Sequence, residues 1–269
     1  MNKVFFISLL LINLSSATDL KTSIHLVDEG LKQNDKILVF SSADGRVLSV
    51  NSNKKLLIGD LKNLALSRHV VRLKINENDE IIGITYLPYE PKKIKTYQWN
   101  TFEPTNLNSL DEAYGLFEKM NPYTRRRSQC YNRAIVWAYD WNIKDQINSQ
   151  KVFLFFSTKY IRRVNYKWWF HVSPFVLVSD NEYVMDREFT LGPLDMQTWT
   201  NIFISSHVLC PTVAVYSDYR NNQLAHDCYL IKAPMFYWHP ASLEELERNG
   251  NIRSVWDLGE VSSARRQAF

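Results

Sequence analysis

The apolar and polar positions of the first hundred residues read as strands. Lys36-Ile37-Leu38-Val39-Phe40 and Arg46-Val47-Leu48-Ser49-Val50 flank Ala43-Asp44-Gly45, and an Asp-Gly pair accepts the positive φ values that a tight hairpin turn requires. A second hairpin is predicted where Val70-Val71-Arg72-Leu73-Lys74-Ile75 alternates apolar and basic residues, turns at Asn76-Glu77-Asn78-Asp79 and returns through Ile81-Ile82-Gly83-Ile84-Thr85-Tyr86. Residues 18–97 are therefore expected to form a β-rich N-terminal domain. Its two histidines, His25 and His69, have no obvious partners in the sequence.

The pattern changes after Leu87-Pro88-Tyr89-Glu90-Pro91-Lys92-Lys93-Ile94-Lys95, where two prolines and three lysines predict an extended, exposed connector. Beyond it, Ser109 and Glu112 form a capping box ahead of Leu110, Ala113, Tyr114, Phe117 and Met120 on one helix face, and Asn121-Pro122 stops the helix. A second helix starts near Cys130 and carries Ala134, Ile135, Trp137, Ala138 and Tyr139 into a core. Strands follow at 152–156, 167–178 and 182–186, the last two joined by a turn at Ser179-Asp180-Asn181. Leu191-Gly192-Pro193 precedes a helix over 194–204, and a capping box at Ser242 and Glu245 predicts one more, stopped by Gly250. The fold class this implies is α+β, with residues 98–269 as the second domain.

The 269 residues are 45% hydrophobic and 13% aromatic, enough to build a real core. A net charge of +4 is spread thinly except at Arg125-Arg126-Arg127 and Arg162-Arg163, which read as solvated surface, so nucleic acid is not an expected partner. The extreme N-terminus changes the picture more. Met1-Asn2-Lys3, an apolar run over 4–14 and Ser15-Ser16-Ala17 have the three parts of a secretory signal with small residues at the cleavage site, placing cleavage after Ala17. No later stretch has the roughly 20 apolar residues of a spanning helix. An exported protein, secreted or periplasmic and free of the membrane once the signal is cut, is expected. The connector is a natural site for proteolysis, so the N-terminal domain reads equally as a removable pro-region or as a permanent β subdomain.

Export alters the meaning of the three cysteines. In an oxidising compartment Cys210 and Cys228 can pair across a short loop, which leaves Cys130 as an odd thiol. A thiol acts as a nucleophile only as thiolate, and a helix N-terminus favours the anion through its free N–H groups and dipole. The same N–H groups, with a donor from Gln129 or Ser128, can stabilise an oxyanion. His171 lies in the aromatic strand Trp168-Trp169-Phe170-His171-Val172, and Asp186 closes the next strand. Antiparallel pairing brings such side chains together, so the carboxylate can hold one imidazole nitrogen while the other faces the thiol. Asp180 and Asp195 are the alternatives for the carboxylate.

This wording is similar to that of the bacterial protein glutaminases, the protein-glutamine deamidases. Cys130-Tyr131-Asn132-Arg133-Ala134, His171-Val172 before Phe175-Val176-Leu177-Val178, and Asp186 followed by Gly192-Pro193 and Trp199 carry the resemblance, which covers residues 108–204. It implies a papain- or transglutaminase-like core, with a Cys-bearing helix packed on an antiparallel sheet that bears His and Asp, and an inhibitory N-terminal pro-region. It also implies Cys130 as nucleophile, His171 as general base and Asp186 as its orienter. Two features depart from the family: Asp186 is followed by Arg187 where the family has proline, and cysteines are fewer.

The implied reaction converts glutamine side chains of proteins or peptides to glutamate through a thioester, with neither metal nor cofactor; Trp168, Trp169 and Trp199 are candidates for lining the glutamine channel, with core packing the expected role of at least two of them. A monomer is expected. A cysteine peptidase or a transglutaminase uses the same triad. His207-x-x-Cys210 and His226-x-Cys228 would instead make a zinc-binding module, and an adhesion or inhibitor domain that has lost catalysis is a further reading.

Overall fold

A computed structural model describes residues 17–33, 36–42, 45–67, 69–88, 102–125, 128–204, 208–250 and 253–269. The signal-like segment 1–16, most of the connector, Ala43, Asp44 and His207 lie outside the described residues. The expected hairpins form. β1 (Thr18–Thr22), β2 (Ile24–Gln33), β3 (Lys36–Ser41) and β4 (Val47–Asn51) open the chain. The helix α1 (Lys55–Ser67) is followed by β5 (Val71–Ile75) and β6 (Ile81–Tyr86). They give two three-stranded sheets, ordered β1-β5-β6 and β2-β3-β4. Strand β5 alternates buried and exposed residues, as a strand with one covered face must. The helix α1 is an addition to the β-rich expectation. It buries Ile58, Leu61 and Leu64 at helical spacing, in a core shared with both sheets.

The rest of the chain is built on a larger sheet. In order come β7 (Asn106–Leu107), α2 (Leu110–Glu118), α3 (Cys130–Asp140), a π-helical turn (Trp141–Asp145), β8 (Gln150–Phe156), α4 (Thr158–Val164), β9 (Phe170–Val178) and β10 (Asn181–Val184). β11 (Leu194–Asp195), α5 (Met196–Phe203), α6 (Tyr216–Asn221), β12 (Cys228–Pro234), α7 (Pro240–Asn249) and α8 (Leu258–Ala268) complete it. The sheet runs β11-β10-β9-β8-β12, with β7 parallel to the far end of β9. Its central strands are buried on both faces, which is why β8 and β9 read as unbroken apolar runs. Helix α3 packs on β9 with Cys130 through Ala138 all buried. This is the α+β arrangement expected, with no closed barrel.

The capping expectations meet mixed outcomes. Ser109 caps α2 by accepting from Glu112 N, but the Glu112 carboxylate turns to Asn108 N, one residue earlier than a capping box requires. Helix α7 begins at Pro240 with His239 as its N-cap, so Ser242 lies inside the helix, because a proline in the first turn loses no hydrogen bond. Gly250 stops it at φ 63°. Asp186 lies two residues beyond the end of β10 rather than within it.

Two cores meet where the halves of the chain touch. Phe40 and Val47 belong to the same apolar cluster as Phe155, Trp169 and Phe170. The main chain continues the contact: Val47 N donates to Lys167 O and Trp169 N to Gly45 O, both at 2.7 Å. Above the Trp169 ring lies His25, parallel within 3° at 4.7 Å, and the indole N–H donates to Ser41 O. His25 also meets the Tyr216 hydroxyl and lies 3.8 Å from Glu244, while Asp28 pairs with Arg162 at 2.6 Å. His69 bonds Leu87 O. Both histidines thus have partners that the sequence did not suggest.

Candidate active site

Helix α3 starts at Cys130 because Gln129 is still extended, at φ −88° and ψ 144°. The Gln129 carbonyl already accepts from Asn132 N and Arg133 N. No side chain caps this end, and the Gln129 Oε1 atom is buried without a partner among the described residues. The approach to the helix is held by Arg133, whose Nη1 donates to both the carbonyl and the hydroxyl of Ser128 at 2.7 Å. Arg133 falls one turn after Cys130, the i+3 spacing that returns a long side chain to the start of its own helix.

His171 projects from β9 and is 7% exposed. Its Nε2 lies 2.6 Å from Asp186 Oδ2, and the Cys130 thiol is near enough to act on the ring electrostatically. Extending the β9–β10 register by two residues places Asp186 opposite Ser173, on the diagonal from His171 and on the same face. The same Asp186 oxygen accepts from Trp199 Nε1 at 2.9 Å. The Asp186 carbonyl gathers Phe189 N, Thr190 N and the Thr190 hydroxyl, which fixes the turn beyond the carboxylate. Arg187 lays its guanidinium over the Phe117 ring at 4.7 Å. Asp180 is engaged by Asn106 at the hairpin tip, and Asp195 caps α5 through Thr198, so neither alternative carboxylate reaches the imidazole.

Burial in this site works against a charge on His171. The Asp186 carboxylate and the Cys130 thiol outweigh it and push the imidazole pKa up to about 9. At neutral pH the ring therefore carries a proton between a carboxylate and a sulfur. Such an arrangement can deliver a proton to a leaving group while the sulfur attacks a carbonyl carbon.

Cys130 and His171 border a cavity of about 790 Å³, with Asp186 buried behind the imidazole. Trp168 lines it and is 40% exposed. Trp169 and Trp199 do not: both are fully buried, Trp169 under His25 and Trp199 behind Asp186. Gln129 and Ser128 are both on the wall, joined by Arg133 and by Phe189 and Phe203, the last two not singled out from the sequence. Across the cavity stand residues of the first half of the chain: Asp19, Leu20, Arg46, Asn76 and Asp79. The zinc reading does not survive, because Cys210 and Cys228 are bonded to each other, with no cluster of metal-ligating side chains among the described residues.

Residues 104–203 match a family model described as glutaminase. No curated protein sequence matches the chain. Among solved structures, a crystal structure of pro-protein-glutaminase superposes with a TM-score of 0.59 at 13% identity, over 83% of this chain and 84% of that one. The A47Q2 mutant of pro-protein-glutaminase gives a TM-score of 0.59 at 14% identity, over 83% and 85%. Residues 104–203 are thus similar to the glutaminase family, and they are carried on a chain whose fold is similar to that of pro-protein-glutaminase.

Proposed function

We propose that this protein is an exported protein-glutamine deamidase in which Cys130, His171 and Asp186 form the catalytic triad. The observation that carries this reading is that Cys130 and His171 share the wall of one cavity while the His171 ring is bonded behind it to the Asp186 carboxylate. The Cys130 thiolate adds to the carbonyl carbon of a glutamine carboxamide. The developing oxyanion is held by the Cys130 N–H, with the Gln129 side chain as second donor. The His171 imidazolium gives its proton to the amide nitrogen, the C–N bond breaks, and ammonia leaves behind a thioester. Neutral His171 then takes a proton from water as the hydroxyl adds, the C–S bond breaks, and glutamate is released with the thiolate and imidazolium restored. Trp168 flanks the entering side chain. The disulfide supports an oxidising compartment, in keeping with the signal-like N-terminus.

The first half of the chain acts as a pro-region in this reading. Arg46, Asn76 and Asp79 stand across the cavity from Cys130, and Arg46 bridges to Trp168 in antiparallel register. A substrate protein has to displace them. Ammonia release from a casein-like protein is the test. Chain cut in the connector before Lys95 and stripped of its N-terminal part should release ammonia faster than intact chain, and Cys130→Ala should release none. Equal activity in Cys130→Ala would sink the triad, and peptide cleavage without ammonia would move the protein to the peptidases.

A further inference from the structure

His171 stands among aromatic rings that the reaction as written does not use. The Phe203 ring centre is 4.5 Å from that of the imidazole, with the planes 38° apart. Trp199 lies at 5.7 Å and 33°, and Phe189 meets the imidazole edge to face at 5.0 Å. Phe189 and Phe203 touch each other at 5.1 Å. Leucines would exclude water from this place equally well. An aromatic ring adds a negative face that attracts a cation, more strongly where water is scarce.

These rings are also held in place. Phe203 is the last residue of α5, and its carbonyl accepts from the Tyr160 hydroxyl at 2.9 Å. Phe189 donates its N–H to the Asp186 carbonyl, so one turn delivers both the carboxylate and an aromatic wall. Phe189 nevertheless remains 48% exposed. An exposed phenylalanine beside a charged imidazole has little to gain from burial, which leaves contact with the ring and with substrate as what it contributes.

We propose that Phe203, assisted by Phe189, is a positioning residue that stabilises the imidazolium form of His171 through its ring face and so extends the working range of the site toward alkaline pH. The inference rests on the deamidase reading for its meaning but not for its test. The groups that titrate against His171 are Cys130 on α3 and Asp186 beyond β10. Charged groups facing the same cavity are Arg133 from α3, Glu188 from the turn after Asp186, and Asp19, Arg46, Glu77 and Asp79 from the first half. None of these changes when a phenylalanine becomes leucine, so the comparison isolates the ring.

The experiment follows the His171 ring signal by NMR across a pH titration of the full chain, in wild type, Phe203→Leu, Phe203→Tyr and Phe189→Leu. Removing the Phe203 ring should lower the midpoint by about half a unit to one and a half units. Tyrosine should restore it to within about a quarter of that shift, and Phe189→Leu should give a smaller fall of the same sign. The upper limb of the Cys130 alkylation rate with iodoacetamide should move with it. An unchanged midpoint in folded Phe203→Leu overturns the proposal. If that variant does not fold, half-exposed Phe189→Leu decides: an unchanged midpoint there overturns it as well. Failure of Cys130→Ala to abolish ammonia release would remove the triad reading and leave these midpoints standing. A midpoint indifferent to the rings would remove the aromatic role and leave the deamidase reading intact.

Discussion

Replacing Trp199 by phenylalanine removes one donor from the Asp186 oxygen that also holds His171. The indole N–H bonds a carboxylate at 2.9 Å in a site where Asp186 is 1% exposed and Trp199 fully buried. A hydrogen bond to a charged group contributes about 1.5–3 kcal/mol. The smaller ring also leaves a void of roughly 40 Å³, which costs about 1 kcal/mol at the usual price of a cavity. The sum, about 2.5–4 kcal/mol, corresponds to a fall in Tm of roughly 5–15 °C for a chain of this size. Asp186 keeps its bond to His171, so the imidazole midpoint should hold or rise, because the carboxylate now has one donor fewer competing for it. Trp199 does not border the cavity, hence kcat should fall about tenfold by loss of orientation with KM little changed. Thermal unfolding and ammonia-release kinetics on the same preparation measure both effects. Stability within about 1 kcal/mol of wild type together with unchanged kcat would show that the hydrogen bond does nothing to position Asp186.

The raised imidazole pKa makes stability depend on pH. A histidine held at about 9 in the folded chain and near 6.5 unfolded contributes fully below pH 6.5 and loses that contribution as pH rises to 9. The unfolding free energy from denaturant titrations should therefore decline across that window, by up to about 3 kcal/mol in total, and Asp186→Asn should flatten the slope. The partly buried Asp28–Arg162 pair joins the two halves of the chain. Asp28→Ala strands the arginine and should raise the basal ammonia release of uncut chain about tenfold, an effect that stripped enzyme cannot show; no rise would detach this pair from inhibition. Reduction of the Cys210–Cys228 bond opens a loop of sequence separation 18 and should destabilise the chain by about 3 kcal/mol, read from urea unfolding with and without reductant.

Much of the site could be read from the chain because its signals are local. Cys130 at a helix start needed only a polar loop followed by apolar periodicity, and the predicted turn is present, with Ser179 and Asp180 both at positive φ. Pairing across that turn is what brought His171 near Asp186. Helix α1 was equally visible in the spacing of Ile58, Leu61 and Leu64, but two strong hairpins around it coloured the reading of the whole segment. Other features have no local signature. That β1 pairs with β5, or that His25 stacks on Trp169, depends on contacts between residues far apart in sequence. Nothing in the sequence tells which of Trp168, Trp169 and Trp199 faces the cavity and which two are core; only the packing of α5 behind the sheet turns the Trp199 N–H toward Asp186. Phe189 and Phe203 were indistinguishable from core residues for the same reason.

The turn after Asp186 has a consequence for how this chain has diverged and how it can be altered. The resemblance to protein glutaminases implies a proline after the carboxylate, a residue that restrains the backbone through its ring. Here that restraint passes to hydrogen bonds: the Asp186 carbonyl collects Phe189 N, Thr190 N and the Thr190 hydroxyl. Position 187 is thereby released from conformational duty, and its arginine instead reaches away to Phe117 on α2. Residue 187 is thus a tolerant site beside an intolerant one, open to labels, charge changes or a restored proline, whereas Thr190, which carries no chemistry of its own, is the position where drift would be felt at Asp186.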